Sequence, residues 1–160
     1  MRRVRQVLSI LASSLVLVVS ACGGGGDGQL SKSEYESKIG AILQPLQGST
    51  LQALVTISPG DRDQAVRALK DGESTLQGAA SELESMKPPD DAVDPTRSLA
   101  TGVREIADQV TAIRKDAERG DFVRLLRFKI TLATDPAVAE IREAAVQLIN
   151  LGYNITGESP

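Results

Sequence analysis

Residues 94–120 read DPTRSLATGVREIADQVTAIRKDAERG, the stretch with the clearest hydrophobic pattern in the chain. Its apolar residues recur at alternating intervals of four and three, which places them on one face of an α-helix. Such a face is typical of the seam of an antiparallel helical bundle. Asp94-Pro95 suits the start of this helix and Gly120 its end. The seam residues are Leu99, Val103, Ile106, Val110, Ile113 and Ala117.

A second helix is predicted before Pro88 and Pro89, because two prolines cannot continue a helix. Ser58 as the cap and Pro59 at the first helical position predict its start, and we expect it to run to about Met86. Its inward face comprises Val66, Leu69, Leu76, Ala79, Ala80 and Leu83. One edge of the helix carries only small residues, namely Ala65, Ala68, Gly72 and Ala79. This edge indicates close helix packing, which we favour, or a groove for an apolar ligand.

The first predicted helix begins at Ser31, because Ser31-Lys32-Ser33-Glu34 has the form of a capping box. Pro45 lies inside its apolar pattern and removes one backbone donor, so we expect a kink near residues 41–45. The apolar face comprises Tyr35, Ile39, Ile42, Leu43, Leu46, Leu51, Leu54 and Val55.

The fourth predicted helix begins at Asp121 and ends at Gly152. Because Pro136 interrupts a continuous pattern, we expect a kink or short break at residues 134–136. The predicted inward face comprises Phe122, Leu126, Ile130, Ala133, Ala137, Ile141, Ala144, Leu148 and Leu151.

Four helices with short connections predict an all-α domain over residues 30–152. The expected architecture is an up-down-up-down four-helix bundle with kinks near Pro45 and Pro136. Residues 153–160 are predicted to form a C-terminal tail.

The N-terminal segment has the layout of a secretory signal: arginines, then an apolar run, then small residues before Cys22. The apolar run is shorter than the about 20 residues that a membrane-spanning helix needs. Val19-Ser20-Ala21-Cys22 has the form of a bacterial lipobox, in which the cysteine sulfur receives a diacylglyceryl group. We predict a signal peptide at residues 1–21, a lipid anchor at Cys22 on the outer face of the cell membrane, and a Gly-rich tether at 22–29. The alternative is a chance cysteine beside an ordinary cleavage site.

Composition limits what the exported chain can do. Removal of residues 1–21 takes away three arginines, so Lys+Arg falls from 18 to 15 against 21 Asp+Glu, a net charge of −6. An acidic chain argues against nucleic-acid binding. The absence of histidine excludes Ser-His-Asp catalysis and the usual zinc sites. We therefore predict a non-enzymatic protein without catalytic residues, bound metal or cofactor.

Two clusters of charged residues are candidate sites. The first, around the third turn, contains Arg114, Lys115, Arg119, Arg124 and Arg127. It indicates contact with anionic lipid headgroups or wall polymers, or else an ordinary solvated surface. The second contains Asp90, Asp91 and Asp94. Its carboxylates suit a weak calcium site, but the spacing of a calcium loop is missing, which favours a solvated turn.

Five short pieces follow one another along the chain: Cys22-Gly23-Gly24-Gly25-Gly26, Leu30-Ser31-Lys32-Ser33-Glu34-Tyr35 leading to Ala41-Ile42, Met86-Lys87-Pro88-Pro89-Asp90-Asp91, Gly120-Asp121-Phe122, and Leu151-Gly152-Tyr153. In these pieces the chain resembles a group of small, mostly uncharacterised lipoproteins of high-GC Gram-positive bacteria. The resemblance implies an extracytoplasmic helical domain and brings no catalytic residues. Members often carry cysteines where this chain has Leu43 and Thr156. If those cysteines pair, the resemblance implies that the first helix lies beside the C-terminal tail.

These observations favour a membrane-anchored, non-enzymatic lipoprotein that binds another molecule, either an envelope protein or anionic headgroups. The alternative is a carrier that holds a small apolar ligand or lipid within the helical bundle. A ligand carrier needs an enclosed apolar pocket of roughly 300–1,000 Å³. A solid core with an exposed apolar patch points instead to a partner.

Replacing Cys22 by alanine tests the anchor. We expect Cys22→Ala to release or mislocalise the protein, because no thiol remains to receive the lipid. Fatty-acid labelling measures the attachment, and Asp27→Ala in the tether is a control that should stay labelled. A mature wild-type chain that is unlabelled and shed into the medium contradicts the anchor.

Overall fold

The computed structural model describes residues 28–46 and 50–155, and this part of the chain is all-helical, without a strand. The predicted all-α class is therefore confirmed. The helices are α1 (Lys32–Pro45), α2 (Leu51–Thr56), α3 (Arg62–Ser85), α4 (Val93–Glu118), α5 (Val123–Thr131) and α6 (Pro136–Asn150), with short 3-10 turns at Asp90–Ala92 and Leu132–Thr134. The predicted signal peptide, Cys22 and the tether up to Asp27 lie outside the described residues.

Helix α4 occupies the centre of the core. Each of its six predicted seam residues is at most 1 % exposed, which confirms the seam as the main buried face. Helix α3 packs along one side of α4 and α6 along another, while α1 and α2 pack on α3. The predicted seam of α4 is therefore the surface on which α3 and α6 pack.

The ends of α3 and α4 differ in detail from the sequence prediction. Asp61 caps α3 instead of Ser58, because its side chain accepts a hydrogen bond from the Gln64 backbone N–H at 2.9 Å. Helix α4 starts at Val93 after a 3-10 turn, so Asp94 lies in its first turn and does not cap it. Gly120 ends α4 as predicted, with a φ of 82° that favours glycine.

The first predicted helix is divided into two. The capping box at Ser31 is present, with Glu34 as its reciprocal partner. Helix α1 ends at Pro45 and α2 begins at Leu51, while residues 47–49 lie outside the described part of the chain.

The fourth predicted helix is also divided, by the 3-10 turn at Leu132–Thr134 and the extended residue Asp135. Asp135 caps α6 by accepting a hydrogen bond from the Ala137 N–H at 2.9 Å, and Pro136 takes the first helical position. The predicted break at residues 134–136 is therefore present.

Because of this break, the predicted inward face of the fourth helix is wrong in its N-terminal half, which corresponds to α5 and the 3-10 turn after it. The buried residues of this half are Leu125, Phe128 and Leu132, whereas Leu126 and Ile130 are 49 % and 81 % exposed. Ala133 and Leu151 are exposed as well, but the α6 positions Ala137, Ala144 and Leu148 are buried as predicted. An extended residue between two helices resets the helical phase, so one periodic stripe cannot describe both.

The first residues of the predicted tail belong to the core. The Tyr153 ring lies 5.1 Å from that of Tyr35 of α1 in an edge-on arrangement, and both side chains are buried. The Tyr153 hydroxyl donates to Asp91 at 2.5 Å, and Ile155 is buried as well. The tail therefore joins the start of α1 to the α3–α4 connection. Thr156 lies outside the described residues, so its predicted proximity to Leu43 stays a prediction.

Two glycines in long helices have opposite surroundings. A Cβ atom on Gly102 of α4 would lie 2.6 Å from Ile141 Cγ1 and 2.9 Å from the Ala137 carbonyl oxygen of α6. A Cβ atom on Gly78 of α3 would meet nothing within 4 Å. The absence of a side chain at Gly102 is therefore what allows α6 to approach α4 closely.

We expect Gly102→Ala to lower the free energy of unfolding by roughly 1–3 kcal/mol, because overpacking forces α6 away from α4. The matched variant Gly78→Ala should raise it by up to about 1 kcal/mol, because alanine is the better helix former and has open space. Urea unfolding followed by circular dichroism measures both changes. Equal effects of the two substitutions would contradict the close approach of α6 at Gly102.

Candidate interaction surface

The large apolar side chains that remain exposed are concentrated on two helices. Within the described part of the chain they all lie on α5, on α6 or directly after α6, namely Val123, Leu126, Ile130, Val146, Ile149 and Leu151. Scattered single apolar residues need no explanation, whereas a clustered set is typical of an interaction surface.

Helices α5 and α6 run back along α4. The Arg124 Nε atom of α5 is 2.7 Å from Asp116 near the end of α4, and the Gln109 side chain donates to Asp135 at 3.1 Å. Farther back along α4, Gly102 contacts α6. Because both helices turn their buried residues to the core, their exposed apolar residues point away from α4. We call this surface the α5–α6 outer face; it comprises Val123, Leu126, Arg127 and Ile130 of α5 and Arg142, Glu143, Val146 and Ile149 of α6.

The α5 half of this face is basic. Helix α5 contains Arg124, Arg127 and Lys129 and no acidic residue. Lys129 Nζ donates to the Ile57 carbonyl oxygen at 3.0 Å and Arg124 pairs with Asp116. The exposed guanidinium of Arg127 makes no hydrogen bond or ion pair with any described residue.

The α6 half carries charges of both signs. Glu143 and Arg142 are exposed, and Glu140 is half-buried. None of the three side chains makes an ion pair within the described residues. The α5 half of the outer face therefore carries the cation Arg127 alone, and the α6 half carries Arg142 beside Glu143.

The structure separates the five predicted anionic-surface residues. Arg114 faces α3, where its Nε donates to Glu73, and its Nη1 lies 2.5 Å from Glu118. Its side chain is only 20 % exposed, so the charge is used within the protein.

Asp116 binds two more of the predicted cations. Its carboxylate lies 2.5 Å from Arg119 Nη2 and 2.7 Å from Arg124 Nε. Lys115 is exposed and makes no hydrogen bond or ion pair among the described residues. Of the five predicted cations, Lys115 and Arg127 make no ion pair within the described residues, although Lys115 interacts electrostatically with Glu73. Only Arg127 lies on the α5–α6 outer face.

The carboxylates of the acidic cluster at Asp90, Asp91 and Asp94 each contact another side chain of the protein. Asp90 accepts a hydrogen bond from the Gln29 side chain at 2.8 Å, Asp91 binds Tyr153, and Asp94 pairs with Arg97 at 2.8 Å. Across the described ranges 28–46 and 50–155, no group of three or more acidic, histidine or cysteine side chains is placed to hold a metal ion.

Cavities in the described residues are small or open. An apolar cavity of about 90 Å³ lies between α1, α2, α3, α4 and α6, and its volume is far below that of an ordinary ligand pocket. A groove of about 440 Å³ between α1 and α3 is open and mixed in polarity, with Leu30, Ile42 and Met86 beside Lys38 and Glu82. The small-residue edge of α3 is filled, since a Cβ on Gly72 would lie 2.8 Å from Leu54 Cδ2.

None of the described helices is long and apolar enough to cross a membrane. Periodicity along the sequence does not predict the outer face, because the predicted stripe puts Leu126 and Ile130 in the core, whereas both are exposed. The available signal was a second stripe, Leu125, Phe128 and Leu132, which competes with the first and contains the aromatic residue. The larger Phe128 side chain favours burial of that stripe.

The Glu73–Arg114 contact predicts a pH dependence of stability. Partial burial raises the pKa of the Glu73 carboxyl, but hydrogen bonds from Arg114 and Thr111 outweigh burial and hold the pKa below its ordinary value of 4.5. A lowered pKa in the folded state stabilises the fold above the unfolded-state pKa, and this contribution is lost as the pH falls through the folded-state value.

We therefore expect Glu73→Gln to lower the free energy of unfolding by roughly 1 kcal/mol near neutral pH. The difference from wild type should shrink as the pH falls below 4.5 and through the lowered folded-state pKa of Glu73, because the wild-type carboxyl then becomes protonated too. Glu82→Gln, on the exposed side of α3, should have no effect at either pH. If the difference in unfolding free energy between Glu73→Gln and wild type persists at low pH, the charge of Glu73 is not what stabilises the fold at this position.

Scans and searches against protein-family models, curated proteins and solved structures find no match to this chain.

Proposed function

We propose that the protein is a lipid-anchored, non-enzymatic lipoprotein of the cell envelope that works by binding another molecule through the α5–α6 outer face. The observation that carries this proposal is the exposure of large apolar side chains on two adjacent helices above a filled core. Ile130 is 81 % exposed and Val123 is 64 % exposed. Removal of such side chains from water against a partner favours association, although the loss of freedom of the two partners offsets part of the gain.

The anchor at Cys22 is part of the same proposal. It rests on the lipobox Val19-Ser20-Ala21-Cys22 and on the charged, then apolar, layout before it. An anchored chain is held on the outer face of the cell membrane, where neighbouring envelope proteins and lipid headgroups are the available partners.

The proposed architecture is an up-down-up-down four-helix bundle, with α1–α2 as the first helix and α5–α6 as the fourth. It is supported by the packing of α3 and α6 on two sides of α4 and by the antiparallel course of α5–α6 along α4. In such a bundle the fourth helix has an outer face, because only one side of it packs on the core.

The carrier hypothesis receives less support. Its proposed site lay between the kinked first helix and the small-residue edge of α3, where Leu54 now occupies the space beside Gly72. The apolar cavity beneath α1 and α2 holds about 90 Å³, and we find no observation on the described residues that favours an enclosed ligand.

A photo-crosslinking amino acid placed at Ile130 of the full exported chain tests the interaction surface. Illumination of intact membranes should give a discrete crosslinked product, because Ile130 is the most exposed of the large apolar residues on the outer face. The matched position is Ala53, an exposed residue of α2 outside this face, which should give little product. Correctly folded chains that crosslink at neither position, or equally at both, would contradict the proposed surface.

A further inference from the structure

We propose that the exposed apolar residues at the C-terminal end of α6 lie in the headgroup region of the phospholipid membrane that holds the lipid anchor. These residues are Val146, Ile149 and Leu151, and we call them the α6 apolar end. The inference rests on the proposed function, because it requires the anchor at Cys22. It goes further by giving the two ends of the outer face different neighbours, with lipid at the end of α6 and another molecule at α5.

The described chain begins at the same end of the domain at which α6 ends. The Gln29 side chain donates to Asp90 at 2.8 Å, and the Tyr153 hydroxyl donates to the adjacent Asp91 at 2.5 Å. Lys32 Nζ of α1 lies 5.1 Å from the centre of the Tyr153 ring. The segment that leads from the anchor therefore enters the domain beside the α6 apolar end.

The length of chain between the anchor and the domain limits how far this end can lie from lipid. Cys22 and Gly28, the first described residue, are six residue steps apart. Because an extended residue adds about 3.3–3.6 Å, this segment spans at most about 22 Å. A lipid on Cys22 therefore keeps the α6 apolar end close to the membrane. Among the described residues, the other large exposed apolar side chains lie on α5.

The composition of the α6 apolar end suits the boundary between water and lipid. Val146, Ile149 and Leu151 are 49 %, 54 % and 43 % exposed, and residues 144–157 contain no charged residue. Entry of this end into lipid therefore removes no α6 charge from water. Val146 lies about 7.5 Å from Leu151 along the helix axis, which matches the roughly 5–10 Å to which interfacial helices bury their apolar side chains.

The charges around this end are mixed. The acidic residues Asp90, Asp91 and Asp94 lie at the start of α4, and the exposed cations Lys32 and Lys87 lie beside them. Such a mixture gives little net attraction to anionic headgroups. Burial of apolar side chains is therefore the driving force, and we expect the contact to persist at high salt.

The rest of the outer face favours an upright domain over one that lies flat on the membrane. Arg142 and Glu143 are exposed in the middle of the face and would contact lipid if the domain lay flat. In an upright domain both stay in water. Ile130 then lies roughly 25–30 Å from the membrane-proximal end, because α4 has 26 residues and α5 runs back along it. The exposed residues of α5 thus remain available to another molecule.

Tryptophan fluorescence tests the lipid contact, because the chain has no tryptophan of its own. Ile149→Trp in the full lipidated chain, reconstituted in phospholipid vesicles, should show blue-shifted emission and quenching by lipids with brominated acyl chains. Ile130→Trp is the matched control, because it also replaces an exposed isoleucine and has the same preference for lipid. Its quenching should be severalfold weaker. High salt should leave the quenching of Ile149→Trp unchanged.

A charge at the α6 apolar end should weaken the contact. Leu151→Asp in the Ile149→Trp chain should lower the quenching severalfold, because a charged side chain resists transfer from water. Leu126→Asp, at a similarly exposed leucine of α5, should leave the quenching unchanged. Circular dichroism confirms that each variant is folded. Equal quenching at positions 149 and 130, loss of quenching at high salt, or no effect of Leu151→Asp would overturn the inference.

The outcomes separate this inference from the proposed function. A lipidated chain whose tryptophan at position 149 is not quenched overturns the lipid contact and leaves the anchor and the interaction surface standing. A photo-crosslinking amino acid at Ile149 that captures another protein instead of lipid also overturns the lipid contact, and it extends the protein-binding surface to α6. A chain without lipid on Cys22 overturns the anchor and this inference together.

Discussion

The apolar seam of α4 is the surface on which the rest of the fold depends. Its side chains are almost fully buried because α3 covers one side and α6 another. The chain has only four aromatic residues, so its core consists mainly of aliphatic side chains that must interlock at short distances. Gly102 makes this possible on the α6 side, where a single methyl group would meet Ile141 and the Ala137 carbonyl group. The close approach of α6 to α4 therefore depends on the missing side chain at Gly102.

Charge placement follows from the same packing. The close contact of α3 and α4 brings Glu73 beside Arg114, and the return of α5 brings Arg124 beside Asp116. These contacts, together with the pairing of Arg119 with Asp116, use three of the five cations of the basic cluster around the third turn. The fold determines which cations have no ion-pair partner among the described residues. On the outer face of α5, this cation is Arg127. A cluster of like charges in the sequence is thus distributed over several faces in the fold.

The ends of the domain have different roles. At one end, the Leu30 N–H donates to the Lys87 carbonyl oxygen, and Tyr153 binds Asp91, so the two ends of the described part of the chain lie near the start of α4. At the other end, α5 begins where α4 stops, and 26 residues of helix separate the two ends by about 39 Å. A chain anchored through its N-terminal tether would therefore hold this end of the helical domain near the membrane. The α5–α6 outer face would extend from that end along the length of the domain.

The sequence by itself determined the helical class, the buried seam of α4, the capping box at Ser31 and the break before Pro136. These features depend on local spacing and on backbone chemistry, which are fixed by neighbouring residues. Only the tertiary structure decided which stripe of α5 is buried, because the extended Asp135 lets α5 rotate independently of α6. It also decided the partners of the charged residues, since an ion pair such as Glu73–Arg114 depends on the register between two helices that are distant in sequence. The exposed face of α5 and α6 depends on which stripe of α5 is buried and on which charges are paired. Periodicity alone could therefore not predict it.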